Sequence, residues 1–144
     1  MPVPQARKIG RSVTGELALK TERRTQLLDV TAGVAHMVRD SGVRSGVCHL
    51  YVPHTTAGIV INEGADPQVA RDIEAALDRL LPKDAGYLHA EGNADSHIKS
   101  VLAGASATVF IGEGRLELGR WQGIFFCEFD GPRQRTLRIK IVPD

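Results

Sequence analysis

Alternating apolar and polar positions predict that most of the chain forms β-strands. Residues 8–21 alternate loosely and carry β-branched side chains, which predicts one or two antiparallel strands. Strands are also predicted at residues 44–52 and 56–62, and Pro53 ends the first of them because it has no backbone donor. The second half continues the pattern, with strands predicted at residues 107–111, 116–118 and 121–129 and around Leu137, Ile139 and Ile141.

Apolar residues spaced three and four apart predict helices between these strands. Residues 25–40 carry such a stripe, with Thr25 placed to cap it and Gly42 following as a stop signal. Asp66 and Pro67 mark the start of a second helix, because they suit its N-cap and its first helical position.

A short third helix is predicted for residues 94–102, with Asn93 or Asp95 as its cap. Its apolar residues are expected to face inward; they are Ile98, Val101 and Leu102. The strands pair mainly through hairpins, so the pattern predicts a single α+β domain over residues 1–144. In that domain about three helices pack on antiparallel, sandwich-like β-sheets.

Composition and charge exclude several classes of protein. The hydrophobic content of 42% and the charged content of 24% are those of an ordinary globular domain. A net charge of +1 provides no field for holding a nucleic acid. No apolar stretch approaches the ~20 residues needed to span a bilayer, and the N-terminus lacks the apolar core of a secretory signal. We therefore expect a cytoplasmic protein without nucleic-acid or membrane partners, in which Cys48 and Cys127 are buried thiols.

Three histidines lie at predicted loop positions in the middle of the chain. His54 follows the strand-ending Pro53, and His89 and His97 flank an acidic, glycine-containing loop that can bring the two rings together. Imidazole is the commonest protein ligand for divalent transition metals, and three imidazoles with one open position form a catalytic zinc site. These residues alone leave two interpretations open, a metal site and a polar, hydrogen-bonded loop.

Six short segments around these histidines match one known family in order and spacing. They are His54-Thr55-Thr56-Ala57, Asn62-Glu63 with Asp66-Pro67, Tyr87-x-His89, the run from Glu91 to Ser100, the run from Gly114 to Ile124, and the run from Glu128 to Arg133. By these segments the chain resembles the secondary thiamine-phosphate synthase family, the YjbQ-like proteins. One departure is Arg120, where the family often has threonine.

This resemblance implies a metal-binding homotrimer with a weak transferase activity. It implies a divalent metal, with zinc the expected occupant, and the ligands His54, His89 and His97. It also implies that a pyrimidine diphosphate is joined to a thiazole phosphate, with release of pyrophosphate. The partner that we expect is therefore a small phosphorylated metabolite.

The chemistry of that reaction assigns roles to further residues. Arg133 follows a tight turn and can bind a phosphate with two parallel hydrogen bonds, which would stabilise the leaving group. Lys99 is a second cation, and the carboxylates can orient metal ligands or act as a general base. The expected catalytic residues are Glu63, Asp95, Lys99 and Arg133. The expected substrate-binding residues are Asn62, Asn93, Trp121, Gln122 and Arg133.

Two other functions would use the same residues. One is a metal-dependent hydrolase of a phosphorylated small molecule, in which water is the nucleophile. The other is a non-catalytic trimeric module that binds a metabolite, since a fold does not determine a function.

The strand predicted at residues 121–129 is partly apolar on both faces. Ile124 and Phe126 lie opposite Phe125 and Cys127, so both faces need a cover. That cover is either a helix or another subunit, and the second would agree with the homotrimer that the resemblance implies.

Overall fold

Residues 5–144 form two antiparallel β-sheets and three helices in the computed structural model, which describes this part of the chain. In chain order the elements are β1 (Gln5–Ile9), β2 (Ser12–Lys20), β3 (Gln26–Asp29), α1 (Thr31–Ser41), β4 (Gly46–Tyr51), β5 (Ala57–Glu63), α2 (Pro67–Leu80), α3 (Ala94–Ala103), β6 (Ser106–Gly112), β7 (Arg115–Leu116), β8 (Gln122–Glu128) and β9 (Gln134–Pro143). The large sheet has the order β1-β2-β9-β4-β6-β7, and the small sheet has the order β3-β8-β5. This architecture confirms the predicted α+β class.

The two sheets face each other across one apolar core, to which α1 also contributes. Leu137, Ile139 and Ile141 of β9 are buried on the inner face of the large sheet, as their alternation predicts. Ile124 and Phe126 of β8 meet them from the small sheet within the same cluster. Removal of these side chains from water stabilises the contact between the sheets.

Strand β8 is covered on both faces by its own chain. Ile124 and Phe126 lie in the central core, while Phe125 and Cys127 pack with Ala70 of α2 on the opposite side. A strand with two buried faces has a nearly continuous apolar sequence, which explains its pattern. The cover expected for this strand is therefore supplied by the chain itself, and β8 does not need a partner subunit.

The helix predicted for residues 25–40 is wrong in its first part. Gln26–Asp29 forms strand β3, which pairs with β8, and α1 begins only at Thr31. Leu27 and Leu28 suit a short strand as well as a helix, so their spacing does not distinguish the two. Pairing with the edge of β8 decides in favour of the strand.

Two helix ends follow the predicted signals and one does not. Gly42 ends α1 with a φ of 72°, a left-handed conformation that glycine adopts without strain. Asp66 caps α2 by accepting a 2.9 Å hydrogen bond from the backbone N–H of Gln68. Thr25 caps no helix, because α1 begins only at Thr31; its hydroxyl donates instead to Asp78 at 2.8 Å. None of the helices in residues 5–144 has the length and apolar character needed to cross a bilayer.

Helix α3 lies where it is predicted, but its polar face is the buried one. Val101 and Leu102 are 81% and 60% exposed, whereas Asp95 and Lys99 are buried. The expectation that Ile98, Val101 and Leu102 face inward is therefore wrong. Polar side chains can replace apolar ones in a buried face when every charge is paired, and here they are paired.

Candidate functional site

The imidazole rings of His89 and His97 lie side by side. Their centroids are 5.2 Å apart and their planes are nearly perpendicular, at 82°. The carboxylate of Glu91 lies 3.6 Å from Nε2 of His89, and the His89 side chain is 41% exposed. Two imidazoles that a solvent-borne ligand can reach therefore converge at the N-terminus of α3, as the eight-residue spacing predicts.

His54 has a different environment from this pair. Its Nε2 accepts a 3.0 Å hydrogen bond from the backbone N–H of Thr136. Burial and the positive charge of Arg135 lower the pKa of His54, which favours the neutral ring. A neutral imidazole whose Nε2 accepts a hydrogen bond carries its proton on Nδ1. In this arrangement His54 offers an N–H donor to a ligand.

The three-histidine metal site is not assembled within the single described chain. Across residues 5–144, no group of three His, Cys, Asp or Glu side chains is arranged to hold a metal ion. His89 and His97 supply two donors of the type that zinc prefers. His54 would first have to give up its hydrogen bond with Thr136, so only the pair fits the metal as it stands.

Asn93, Asp130 and Arg133 form a hydrogen-bonded group beside the histidine pair. Nδ2 of Asn93 donates to Oδ2 of Asp130 at 2.8 Å, and the same oxygen accepts from Nη2 of Arg133 at 3.0 Å. Nε of Arg133 also donates to the backbone carbonyl of Asp130 at 2.8 Å. The Arg133 side chain is 50% exposed, so its guanidinium is held in position and still open to an anion.

One atom of this group has no partner. Oδ1 of Asn93 is buried and accepts no hydrogen bond from the described residues. Such an atom in a native structure needs an explanation, most often a water, an ion or a ligand donor. The backbone carbonyl of Asn93 accepts from the N–H of His97, so this atom belongs to the same corner of the molecule as the histidine pair.

Asp95 and Lys99, which lie on α3, are part of a buried ionic network. Arg24 donates to both carboxylate oxygens of Asp95 at 3.0 Å, and the Lys99 ammonium donates to Asp95 at 2.9 Å and to Asp78 at 2.8 Å. Burial alone would raise the pKa of Asp95, but the hydrogen bonds from Arg24 and Lys99 lower it to about 2. Both predicted catalytic residues are thus enclosed, which favours a role in holding α3 in place.

A second buried ion pair holds the turn that carries Arg133. Glu128 accepts hydrogen bonds from Arg135 at 2.9 Å and from the hydroxyl of Thr21 at 2.7 Å. It also accepts from the backbone N–H of Asp130 at 3.0 Å. Burial opposes ionisation of Glu128, but the bonds from Arg135 and Thr21 lower its pKa. This pair was not predicted from the sequence. A charged residue at the end of the otherwise apolar strand β8 could have indicated a buried ion pair.

Four predicted site residues lie at the other end of the small sheet. In the β5–β8 pair, Ala57 is opposite Glu128 and Glu63 is opposite Gln122. The two ends are six residues apart, which is about 20 Å at roughly 3.3 Å per residue. The structure therefore does not bring this second group to the histidine corner within one chain. The group consists of Asn62, Glu63, Trp121 and Gln122.

Within this second group, Trp121 and Glu63 are held differently. Oε2 of Glu63 accepts hydrogen bonds from the backbone N–H groups of Ala65 at 2.6 Å and Asp66 at 3.3 Å, which fixes the turn before α2. Trp121 is 58% exposed, and the guanidinium of Arg120 lies 4.7 Å from its ring centroid. Arg120, the departure from the family pattern, thus stacks on an exposed indole.

Similar proteins occur in several archaea and bacteria and are named by family alone. A UPF0047 protein of Methanocaldococcus jannaschii is 51% identical over 126 residues, which covers 88% of this chain and 91% of that protein. The UPF0047 protein YugU of Bacillus subtilis is 47% identical over 127 residues and covers 88% of this chain and 96% of its own.

Solved structures show the same fold, and a family model matches most of the chain. A YjbQ/UPF0047 protein from Clostridium acetobutylicum superposes with a TM-score of 0.86 at 50% identity, over 88% of this chain and 98% of that chain. A protein from Sulfolobus solfataricus has a TM-score of 0.88 at 31% identity, over 92% and 98% of the two chains. Residues 15–144 match the model of the family described as UPF0047 protein YjbQ-like. The chain therefore belongs to the YjbQ-like UPF0047 family.

Proposed function

We propose that the corner formed by His89, His97, Asn93 and Arg133 binds a phosphorylated small molecule. We further propose that the protein there carries a weak thiamine-phosphate synthase-type activity, which joins a pyrimidine diphosphate to a thiazole phosphate and releases pyrophosphate. The observation that supports this most is the half-exposed guanidinium of Arg133, held by Asp130 beside a buried acceptor that lacks a partner.

Arg133 would bind the diphosphate and stabilise the charge that develops as it leaves. Its Nε and Nη2 are held by Asp130, so the guanidinium needs little reorganisation when an anion arrives. His54 lies close enough that the charge of Arg133 contributes to lowering its pKa. The proton on Nδ1 of His54 would give the leaving group a second, neutral hydrogen-bond donor.

The buried acceptor would recognise the other side of the ligand. Oδ1 of Asn93 needs a donor but is closed to solvent in the single chain, so an amine or hydroxyl group of a substrate would reach it only once the loop that carries Asn93 moves. A ligand that places a donor here and a phosphate on Arg133 would use both groups at once.

A divalent metal, with zinc as the expected ion, is a second part of what we propose. His89 and His97 would hold it, with the Glu91 carboxylate beside them. When bound, such an ion supplies a Lewis acid for a phosphate oxygen. The remaining ligands would come from a water or from His54 after release of its bond to Thr136.

A homotrimer is the third part. Leu88 and Phe110 are large apolar residues that lie mostly in solvent when the chain is alone, at 103% and 64% exposure. We propose that these side chains are covered by other subunits in the trimer, since contiguous exposed apolar surface marks contacts between proteins. The mass of the purified protein from light scattering after gel filtration tests this assembly directly.

Turnover of the two substrates tests the activity. Metal-loaded protein is incubated with the pyrimidine diphosphate and the thiazole phosphate, and thiamine phosphate is measured by chromatography. We expect Arg133→Ala to reduce the rate roughly a hundredfold, as loss of one preorganised donor does. Arg138→Ala, an exposed arginine on β9, is the matched control and should keep the rate.

The same mixtures separate the alternatives. Release of phosphate or pyrophosphate without thiamine phosphate would indicate a hydrolase. Binding of the pyrimidine diphosphate without any product would indicate a binding module. An Arg133→Ala variant as active as the Arg138→Ala variant would remove this corner from the reaction.

A further inference from the structure

A cavity of about 200 Å³ lies at the start of α2, at the Glu63 end of the small sheet. Its floor is apolar and consists of Leu27, Ala70 and Phe125. It is smaller than the roughly 300 Å³ from which pockets for drug-sized ligands begin. Its volume therefore suits about one six-membered ring with a single substituent.

The most deeply buried charge of this cavity is neutralised by its own neighbour. Glu74 is only 5% exposed, and Arg23 donates to its two carboxylate oxygens at 2.8 and 2.9 Å. Glu74 also accepts from the backbone N–H of Leu27 at 2.8 Å. This pair is part of the wall and leaves no net charge for a ligand.

The remaining charges around the cavity are two carboxylates and one loosely held guanidinium. Asp29 uses Oδ1 to accept from the N–H of Thr31 at 2.9 Å, and Glu63 uses Oε2 on the turn before α2. The second oxygen of each accepts no hydrogen bond within residues 5–144. Arg71 is 66% exposed and lies 3.7 Å from Glu74, beyond hydrogen-bond distance. Together, Asp29, Glu63 and Arg71 carry a net charge of one negative unit.

We infer that this cavity is a binding site for a small planar cation, such as an amidinium or a protonated amino-substituted heterocycle. A flat ring would lie on the floor of Leu27, Ala70 and Phe125 and remove apolar surface from water. Its N–H groups would donate to the free oxygens of Asp29 and Glu63, as charge-assisted hydrogen bonds. An anion of the same shape would meet the two carboxylates and bind poorly.

This site is separate from the proposed phosphate site. Glu63 lies at the end of the β5–β8 pair opposite to Glu128, and Arg133 follows the turn after Glu128. A negative result in the test of one site would therefore not contradict the proposal for the other.

Three probes of one shape test the charge preference. Benzamidine is the cation, benzamide the neutral isostere and benzoate the anion, and calorimetry measures the affinity of each. Trp121 gives a second readout, because it is the only tryptophan and its carbonyl accepts from the N–H of Gly64, which lines the cavity. We expect saturable binding of benzamidine and at least roughly tenfold weaker binding of benzamide and benzoate.

Substitutions that should weaken benzamidine binding, and one that should strengthen it, test the charged residues of the cavity. Asp29→Asn and Glu63→Gln keep an oxygen for their backbone bonds and should each weaken benzamidine binding roughly fivefold. Asp72→Asn, an exposed carboxylate of α2 outside the cavity, should leave it unchanged. Arg71→Ala should tighten it, because a positive charge beside the cavity, only loosely paired with Glu74, is removed.

The tightening by Arg71→Ala is an effect that a damaged fold does not produce. Absence of saturable benzamidine binding, or equal affinities for the three probes, would overturn the assignment. Unchanged or weaker binding to Arg71→Ala would overturn it too, and this test stands if a carboxylate variant fails to fold.

Discussion

The ammonium of Lys99 lies 2.9 Å from the carboxylate of Asp95, one turn away on α3, and both side chains are buried. Asp95 also receives Arg24, and Lys99 also reaches Asp78 of α2. The network thus joins α3, α2 and the segment before β3. A buried charge is tolerated only when it is paired, so this arrangement is stable only as a whole.

We expect Lys99→Met to destabilise the protein by about 3–5 kcal/mol. After the substitution, Arg24 is the only cation that pairs with Asp95, so part of the desolvation energy of the buried carboxylate is no longer compensated. Urea unfolding followed by circular dichroism measures the change. Lys140→Met, at an exposed position of β9, is the control and should lie within about 0.5 kcal/mol of the unmodified protein. A loss below about 1 kcal/mol for Lys99→Met would show that the network contributes little.

Two buried carboxylates, Asp95 and Glu128, predict a loss of stability in acid. The pKa of Asp95 is lowered from 3.8 to about 2, and that of Glu128 is lowered from 4.5. A carboxylate with a lowered pKa stabilises the fold above its unfolded pKa, and this contribution is lost as the pH falls through the folded value. We expect Asp95 alone to contribute about 2 kcal/mol that disappears between about pH 4.5 and pH 2.

Unfolding free energies at a series of pH values measure this slope. The Asp95→Asn variant should be less stable at neutral pH and should lose less stability on acidification. An identical pH slope in the variant and the unmodified protein would contradict the assignment of the lowered pKa to Asp95.

The large features of the fold were predictable because they depend on repeated local patterns. The alternation of Leu137, Ile139 and Ile141 and the cap at Asp66 each report one local requirement. Strand β3 was not predictable in this way, since Leu27 and Leu28 suit two structures and only pairing with β8 distinguishes them.

The candidate site was predictable in part. The spacing of His89 and His97 indicates their approach, because one loop joins them. The distance between Glu63 and the histidines depends on the length of the β5–β8 pair, which motif order does not contain. Likewise, Arg24 has no motif of its own and is recognisable only from its bond to Asp95.

Helix α3 buries its polar face and exposes apolar residues, which allows a matched pair of substitutions. Val101 is 81% exposed on α3, whereas Val38 is 1% exposed on α1. We expect Val101→Ser to change the free energy of unfolding by less than about 0.5 kcal/mol and Val38→Ser to cost about 2–3 kcal/mol. Urea unfolding of both variants checks this. If Val101→Ser were the more damaging change, the buried face of α3 would be the apolar one after all.

Both thiols should be inert in the folded protein. Burial raises the pKa of Cys48 and of Cys127 to about 12, so neither forms a thiolate at pH 8. We expect no reaction with a disulfide reagent in native buffer and full reaction of both in denaturant, measured by absorbance. Rapid labelling of one thiol under native conditions would show that its part of the core opens.

The stacking of Arg120 on Trp121 predicts a fluorescence change. The guanidinium lies 4.7 Å from the ring centroid and covers one face of an indole that is otherwise exposed. We expect Arg120→Ala to increase quenching of the tryptophan emission by acrylamide, because the second face becomes accessible. The effect on stability should be small, about 0.5–1 kcal/mol, as for exposed cation–π pairs.

Arg115→Ala serves as the control for this measurement. Arg115 is also an exposed arginine, in β7, but it is not the cation that stacks on the indole. Its removal should leave acrylamide quenching unchanged, which separates a local effect of stacking from a general effect of charge. Equal quenching of the Arg120→Ala variant and the unmodified protein would mean that the guanidinium does not stay on the ring in solution. Trp121 would then present both faces to a ligand, and the departure at Arg120 would have no consequence for access to it.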